Sequence, residues 1–327
     1  MATTYKPDYS QPIAALLKSG TAAAHEEAEH SEGAGWLTRG ELDKDEYIRF
    51  LMMLYHVYDT LEQALDKHAT HSVLAPTYNP TLFARTQRLG ADIAFLLQTP
   101  ESSWQAHPLH TELVTRPPAS FTAYTGRLQK LADADPAPLL AHAYVRYLGD
   151  LSGGQFIKRR IAKAYGLDDA AGLAFYDFKQ LHSNASSTIG DMKKIKEWYR
   201  DGMNAGVGDD LTLKSKILDE ASVAFQLNTG LFSTLKPPSR PRTPDTPSVL
   251  IDNAGFGDPM TPTEVVPPYH SKEGKVIAQA SPASAERTFP LASILAFFLA
   301  IAISQFALVL SGINGARIMG WVSKVFA

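Results

Sequence analysis

Tyr144-Val145-Arg146-Tyr147-Leu148-Gly149-Asp150-Leu151-Ser152-Gly153-Gly154-Gln155 carries helical and anti-helical features at once. Its apolar residues recur at helical spacing inside a longer run, Leu139–Tyr165, yet it holds three glycines and an aspartate. A glycine in a helix interior costs roughly 1 kcal/mol against alanine, so the three together cost about 3 kcal/mol. Keeping them there implies that something lies closer to the backbone than a Cβ allows. Gly149 and Gly153 are four residues apart and share a helix face. The bare strip suits either a second helix or a flat ligand, and from these residues alone the helix is the commoner occupant. Asp150, set between close-approach glycines, needs partners or a task, because a buried carboxylate is costly without them.

The same periodicity extends on both sides. From Ile13 to Leu235 the apolar residues recur mainly at three- and four-residue spacing, with no run of strand-type alternation, so the predicted fold is all-α, one multi-helical domain over residues 1–235. Pro, Gly, Asp and Asn punctuate it into helices over Ile13–Glu29, Lys44–Lys67, Thr81–Leu97, Phe121–Leu131, Leu139–Tyr165, Met192–Asn204 and Leu211–Phe232.

Residues 236–288 change character, with prolines at 237, 238, 241, 244, 247, 259, 262, 267, 268 and 282 among Ser, Thr, Asp and Lys, the composition of a disordered linker. Phe289 to Ile313 is uncharged and long enough to cross a hydrocarbon core of about 30 Å as one helix. It reads as a transmembrane tail anchor, followed by a short tail over 314–327. Basic residues flank both ends, Lys272, Lys275 and Arg287 before and Arg317 and Lys324 after, so charge barely discriminates the orientation. Met1–Pro12 lacks the apolar stretch of a secretory signal. The expected arrangement therefore leaves the helical body in the cytosol and only the tail across the membrane.

With 45% hydrophobic residues in 327, the chain can bury a full core. A net charge of −3 offers no general attraction for nucleic acid, so any anion site must be local. The absence of cysteine excludes disulfides, thiolate ligation of iron, cysteine-based zinc sites and covalent c-type haem attachment. No Gly-rich dinucleotide fingerprint follows a strand, so electrons for any redox chemistry must come from elsewhere.

Tyr144 to Gln155 resembles the distal-helix signature of the haem oxygenases almost residue for residue. Leu17 to Glu29 resembles the proximal helix of that family, and Leu54-Tyr55-His56-Val57-Tyr58, Lys194 to Arg200 and Ala224 to Asn228 follow in the family's order. The resemblance runs from about Pro12 to Leu235 and is closest to the eukaryotic, membrane-anchored, biliverdin-producing type. It implies a haem b molecule that is both substrate and cofactor, sandwiched between the two helices. Ring cleavage with O2 would then yield biliverdin, carbon monoxide and ferrous iron. It further implies electrons from NADPH through a separate NADPH–cytochrome P450 reductase, biliverdin reductase as a downstream partner, and the endoplasmic reticulum membrane as the location. A haem-binding sensor or carrier that does not turn over is the alternative.

The resemblance also assigns residues. His25 stands at the position of the iron ligand, and Glu29, one turn on, is placed to orient its imidazole. Lys18, Tyr144, Lys196 and Arg200 match positions that contact the haem propionates. Judged by spacing alone, Lys18 reads nearly as well as a solvated lysine, and Lys196 with Arg200 as a solvated i,i+4 pair. Where the family has a second proximal lysine this chain has Ala22, which weakens the anionic clamp. Asp150 matches the residue that orders water on the distal side of the iron. Arg146, Tyr58 and Asn228 match the supporting network, while Gly149 and Gly153 bring the distal helix against the ring. Tyr58 reads equally as a core aromatic, and Arg146 as an ion-pair partner.

Overall fold

The computed structural model describes residues 6–167 and 171–239. These form helices α1 Ile13–Gly20, α2 Ala22–Glu29, α3 Glu32–Arg39, α4 Lys44–Lys67, α5 Pro80–Phe83, α6 Thr86–Leu97, α7 Pro108–Thr115, α8 Ala119–Ala134, α9 Leu139–Tyr165, α10 Ile189–Val207 and α11 Leu211–Phe232. Among the described residues the only β-type pairing noted is an isolated bridge between Lys179 and Ser186. The all-α expectation holds for the body. No helix among the described residues is long and apolar enough to cross a membrane. The predicted span at 289–313, the tail at 314–327 and all of the linker beyond residue 239 lie outside the described residues.

The core is organised by α4, α9 and α11. Every residue of α9 from Leu139 to Leu148 is buried, as expected of a helix with neighbours all round. It packs on α4, α8, α10, α11 and α3. Two polar residues on this buried stretch, His142 and Arg146, are four apart, and both are met by α11, through Glu220 and Asn228. On α4, Leu51, Leu54, Tyr58 and Leu61 form a buried stripe at helical spacing. Burying each such side chain contributes about 1.5–3 kcal/mol against conformational entropy.

Two predicted helices are divided, and two others, α8 and α10, extend two or three residues beyond the predicted bounds at each end. The helix expected over Ile13–Glu29 is two helices, interrupted at Thr21, whose φ and ψ are −106° and 6° and whose hydroxyl donates to the Leu17 carbonyl at 2.7 Å. Gly20 permits this turn close to α11, since a Cβ there would come within 2.5 Å of Leu218 Cδ1. The helix expected over Thr81–Leu97 divides into α5 and α6 around Arg85. That buried guanidinium binds the carbonyls of Leu82, Phe83, Phe175 and Asp177, while Glu62 accepts from the Arg85 and Thr86 amides and so caps α6 from another helix. α3 and α7 were not foreseen. α3 has two glycines in eight residues and buries only a short face, and α7 opens on Pro108 with His107 as its cap.

Candidate haem site

A cavity of about 180 Å³ opens between α2, α3, α4, α9 and α11. Its lining is mostly apolar and aromatic, including Leu37, Phe50, Leu54, Phe225 and Phe232, which suits a flat hydrophobic ligand. The glycine strip on α9 faces this space. Among the described residues a Cβ built on Gly149 or on Gly153 meets nothing within 4 Å beyond its own helix backbone, whereas one on Gly154 would touch the Tyr176 ring at 3.5 Å. No helix among the described residues packs on the strip, and its open side faces the cavity.

On α2, His25 and Glu29 both line the cavity, with His25 Nδ1 3.5 Å from Glu29 Oε2. The His25 ring meets Phe225 edge-on at 5.7 Å. Burial lowers the His25 pKa, favouring the neutral imidazole that can ligate a metal. Burial likewise raises that of Glu29, whose Oε1 is buried without a hydrogen-bond partner. A buried acceptor beside a histidine can take an N–H bond from the ring and fix its tautomer.

On α9, Asp150 borders the cavity and accepts a hydrogen bond from the Tyr58 phenol behind it. Arg146 donates from Nε to Tyr58 Oη at 3.1 Å and from Nη1 to Asn228 Oδ1, and its Nη2 lies 4.0 Å from Asp150 Oδ1. Four predicted distal residues on three helices thus form one contiguous polar group. Burial raises the Asp150 pKa, and the Arg146 charge and Tyr58 bond only partly offset it. Burial opposes the Arg146 charge, but Tyr58 and Asp150 outweigh it and hold the guanidinium firmly protonated.

The predicted propionate positions are more scattered. Lys196 is buried, and its Nζ reaches Ser152 Oγ, on the cavity wall, at 3.4 Å. Tyr144 is buried, its phenol pKa raised by burial and opposed by the charge of Arg200, which is half-buried. Lys18 is exposed on α1, and neither it, Tyr144 nor Arg200 lines the cavity. One unbroken helix over Ile13–Glu29 would put Lys18 on the same face as His25, seven residues on, and the turn at Thr21 breaks that relation. Sequence reasoning missed the aromatic wall. Phe225, Asn228 and Phe232 sit at i, i+3 and i+7 on α11, a spacing that was readable once Asn228 had been placed at the site.

A family model described as heme oxygenase matches residues 11–234. Bovine heme oxygenase 1 is 32% identical over 89% of this chain and 90% of its own length. Human heme oxygenase 1 is 34% identical over 69% of this chain and 72% of its own. Among solved structures, the crystal structure of heme oxygenase-2 from Synechocystis sp. in complex with heme and NO superposes with a TM-score of 0.60 at 32% identity, covering 69% of this chain and 85% of that one. Heme oxygenase from Leptospira interrogans superposes at 0.58 with 31% identity, over 68% and 99%.

Proposed function

Since the chain belongs to the haem oxygenase family, we propose that it takes haem into the α2–α9 cavity and opens the ring to biliverdin, releasing carbon monoxide and iron. The observation that carries this is the Gly149–Gly153 strip facing open space beside the Asp150 group, with His25 lining the same cavity. Haem, when bound, supplies both the iron at which oxygen reacts and the ring that is cleaved.

His25, kept neutral by burial, is the metal ligand, and Glu29 takes the N–H of its other nitrogen. The glycine strip lets α9 lie against the ring plane, and the aromatic wall excludes bulk water. Asp150 sits at the cavity edge with its carboxyl held in place by Tyr58 and Arg146 and its pKa raised by burial, where it can order water or exchange a proton. Lys196, whose Nζ reaches Ser152 on the cavity wall, would receive a propionate, with Arg200 one turn further along α10. Electrons come from NADPH through a separate P450-type reductase, and biliverdin passes to a biliverdin reductase. The uncharged run at 289–313 supports an anchor in the endoplasmic reticulum membrane. An anchor there would concentrate the enzyme beside a membrane-bound reductase.

A visible absorption time course on the haem-loaded chain, given NADPH and a P450-type reductase, tests the reading. The Soret band is expected to decay as a biliverdin band grows, with iron captured by a ferrous chelator. A Soret band that survives repeated reduction would make the protein a haem carrier instead.

A further inference from the structure

The end of the described chain is tied to the start of α4 by contacts that haem cleavage leaves unexplained. Pro237 and Pro238 have no N–H to give, so the donors that flank them, the amides of Lys236 and Ser239, lie three residues apart. Their acceptors, Glu46 Oε1 at 2.9 Å and Asp43 Oδ2 at 3.1 Å, are three residues apart as well, at the N-terminal end of α4. The Ser239 hydroxyl also bonds Asp43. Arg49 donates to the Thr234 carbonyl at 2.6 Å and pairs with Glu46. With side chains only 14% and 8% exposed, Arg49 and Glu46 are shielded from the screening that makes surface pairs weak.

This strap follows directly on the cavity wall. Phe232, the last residue of α11, lines the cavity and stacks on Phe50 of α4 at 5.7 Å. Its carbonyl occupies the place a Cβ on Gly33 would need, so α3 presses on the same point. The residues between wall and strap are few, and the backbone carbonyl that Arg49 holds is two past Phe232. A change at Arg49 is therefore transmitted over a short, packed segment.

We propose that Arg49 and Glu46 are positioning residues for the cavity. By fixing the chain from Thr234 to Ser239 on α4 they hold the end of α11, and with it the Phe232 ring, against the bound haem. The strap from Thr234 to Ser239 thereby sets how firmly the haem is enclosed. The inference rests on the haem reading above.

The test is a double-mutant cycle on the full chain, read as the rate of haem transfer to excess apomyoglobin. Arg49→Met is expected to speed release about tenfold, as for the loss of one charge-assisted hydrogen bond. In a Phe232→Ala background the same change is expected to add less than about twofold. Equal acceleration in both backgrounds, or none in either, overturns the proposal. Should Arg49→Met not fold, hydrogen exchange on the native full chain decides. The Lys236 and Ser239 amides are expected to be protected, and more so with haem bound; exchange at the free-peptide rate, or no response to haem, overturns it. A native chain that takes up no haem would instead sink the haem reading itself.

Discussion

α9 and α11 carry two buried ionic clusters about two turns apart along α9, and their carboxylates shift in opposite directions. Glu220 accepts from Arg127 Nε at 2.9 Å, from Arg127 Nη2 and from His142 Nε2 at 2.8 Å. Burial would push its pKa up, but those donors prevail and bring it down to about 2. Asp150 also has an arginine and a ring for partners. Its bond, however, comes from a neutral phenol, and its arginine stands 4.0 Å away, so burial prevails and the pKa rises. Residue types hardly distinguish the two clusters. What differs is how many charged donors lie within bonding distance, and that Asp150 borders open space. A carboxylate saturated by donors ties helices together, whereas one left short of donors beside a cavity can gain and lose a proton.

On that contrast the larger effect lies at Glu220 and is structural. Glu220→Ala leaves Arg127 and His142 without their carboxylate, and the expected loss is about 3–5 kcal/mol in denaturant unfolding at neutral pH. The pH dependence has a definite sign. A folded-state value of about 2 against the ordinary 4.5 gives stability that is present above 4.5 and lost as pH falls toward 2. In all this is worth roughly 3 kcal/mol. His142, held below 6.5 by burial, acts in the same sense from pH 6.5 downward. Asp92, raised to about 6 by burial, opposes both, because the folded state gains as pH falls from 6 to 3.8. The Glu220→Ala variant should lose most of the acid slope below pH 4.5. An unchanged slope would show that the cluster is not the tie the geometry describes.

Asp150→Ala should invert this pattern. Haem uptake is expected to persist, the unfolding midpoint to move less than in Glu220→Ala, and biliverdin formation to fall about a hundredfold, the scale of a lost proton-handling group. Haem titration, denaturation and product absorbance on one preparation separate the three. A variant that unfolds as easily as Glu220→Ala yet still makes biliverdin would erase the distinction between the clusters.

How much of this was legible in the sequence varied with the range of the interaction concerned. The bounds of α4, α9 and α11 were read to the residue, because local punctuation sets them. α9, for example, follows Pro138 and stops at Gly166, which adopts φ +61°. α10 begins three residues before the predicted Met192, at a capping box of Thr188 and Asp191 that was readable but passed over. The division at Arg85 was not readable, since it depends on Glu62 and on carbonyls near residue 176 that only the fold brings close. The site divides the same way. His25 on one side, and Asp150 with the glycines on the other, could be assigned because each lies in a contiguous motif, and the fold brings both to one cavity. That Tyr58 bonds Asp150 directly, and that Phe232 closes the wall, are tertiary facts with no local signature.

The glycine strip offers the smallest effect and the sharpest sign. Had Gly149 and Gly153 served helix packing, alanine at either position would clash and destabilise the fold. Instead a Cβ at each meets nothing within 4 Å among the described residues beyond its own helix backbone, and alanine is the better helix former by about 1 kcal/mol. Gly153→Ala should therefore raise the melting temperature of the haem-free chain by a few degrees, while weakening haem binding because the methyl group occupies space the ring needs. Stability and affinity would move in opposite directions on one substitution. That outcome is expected only if the strip is kept bare for a ligand, since a purely structural glycine, at Asp150's neighbours or elsewhere on α9, would lose both together.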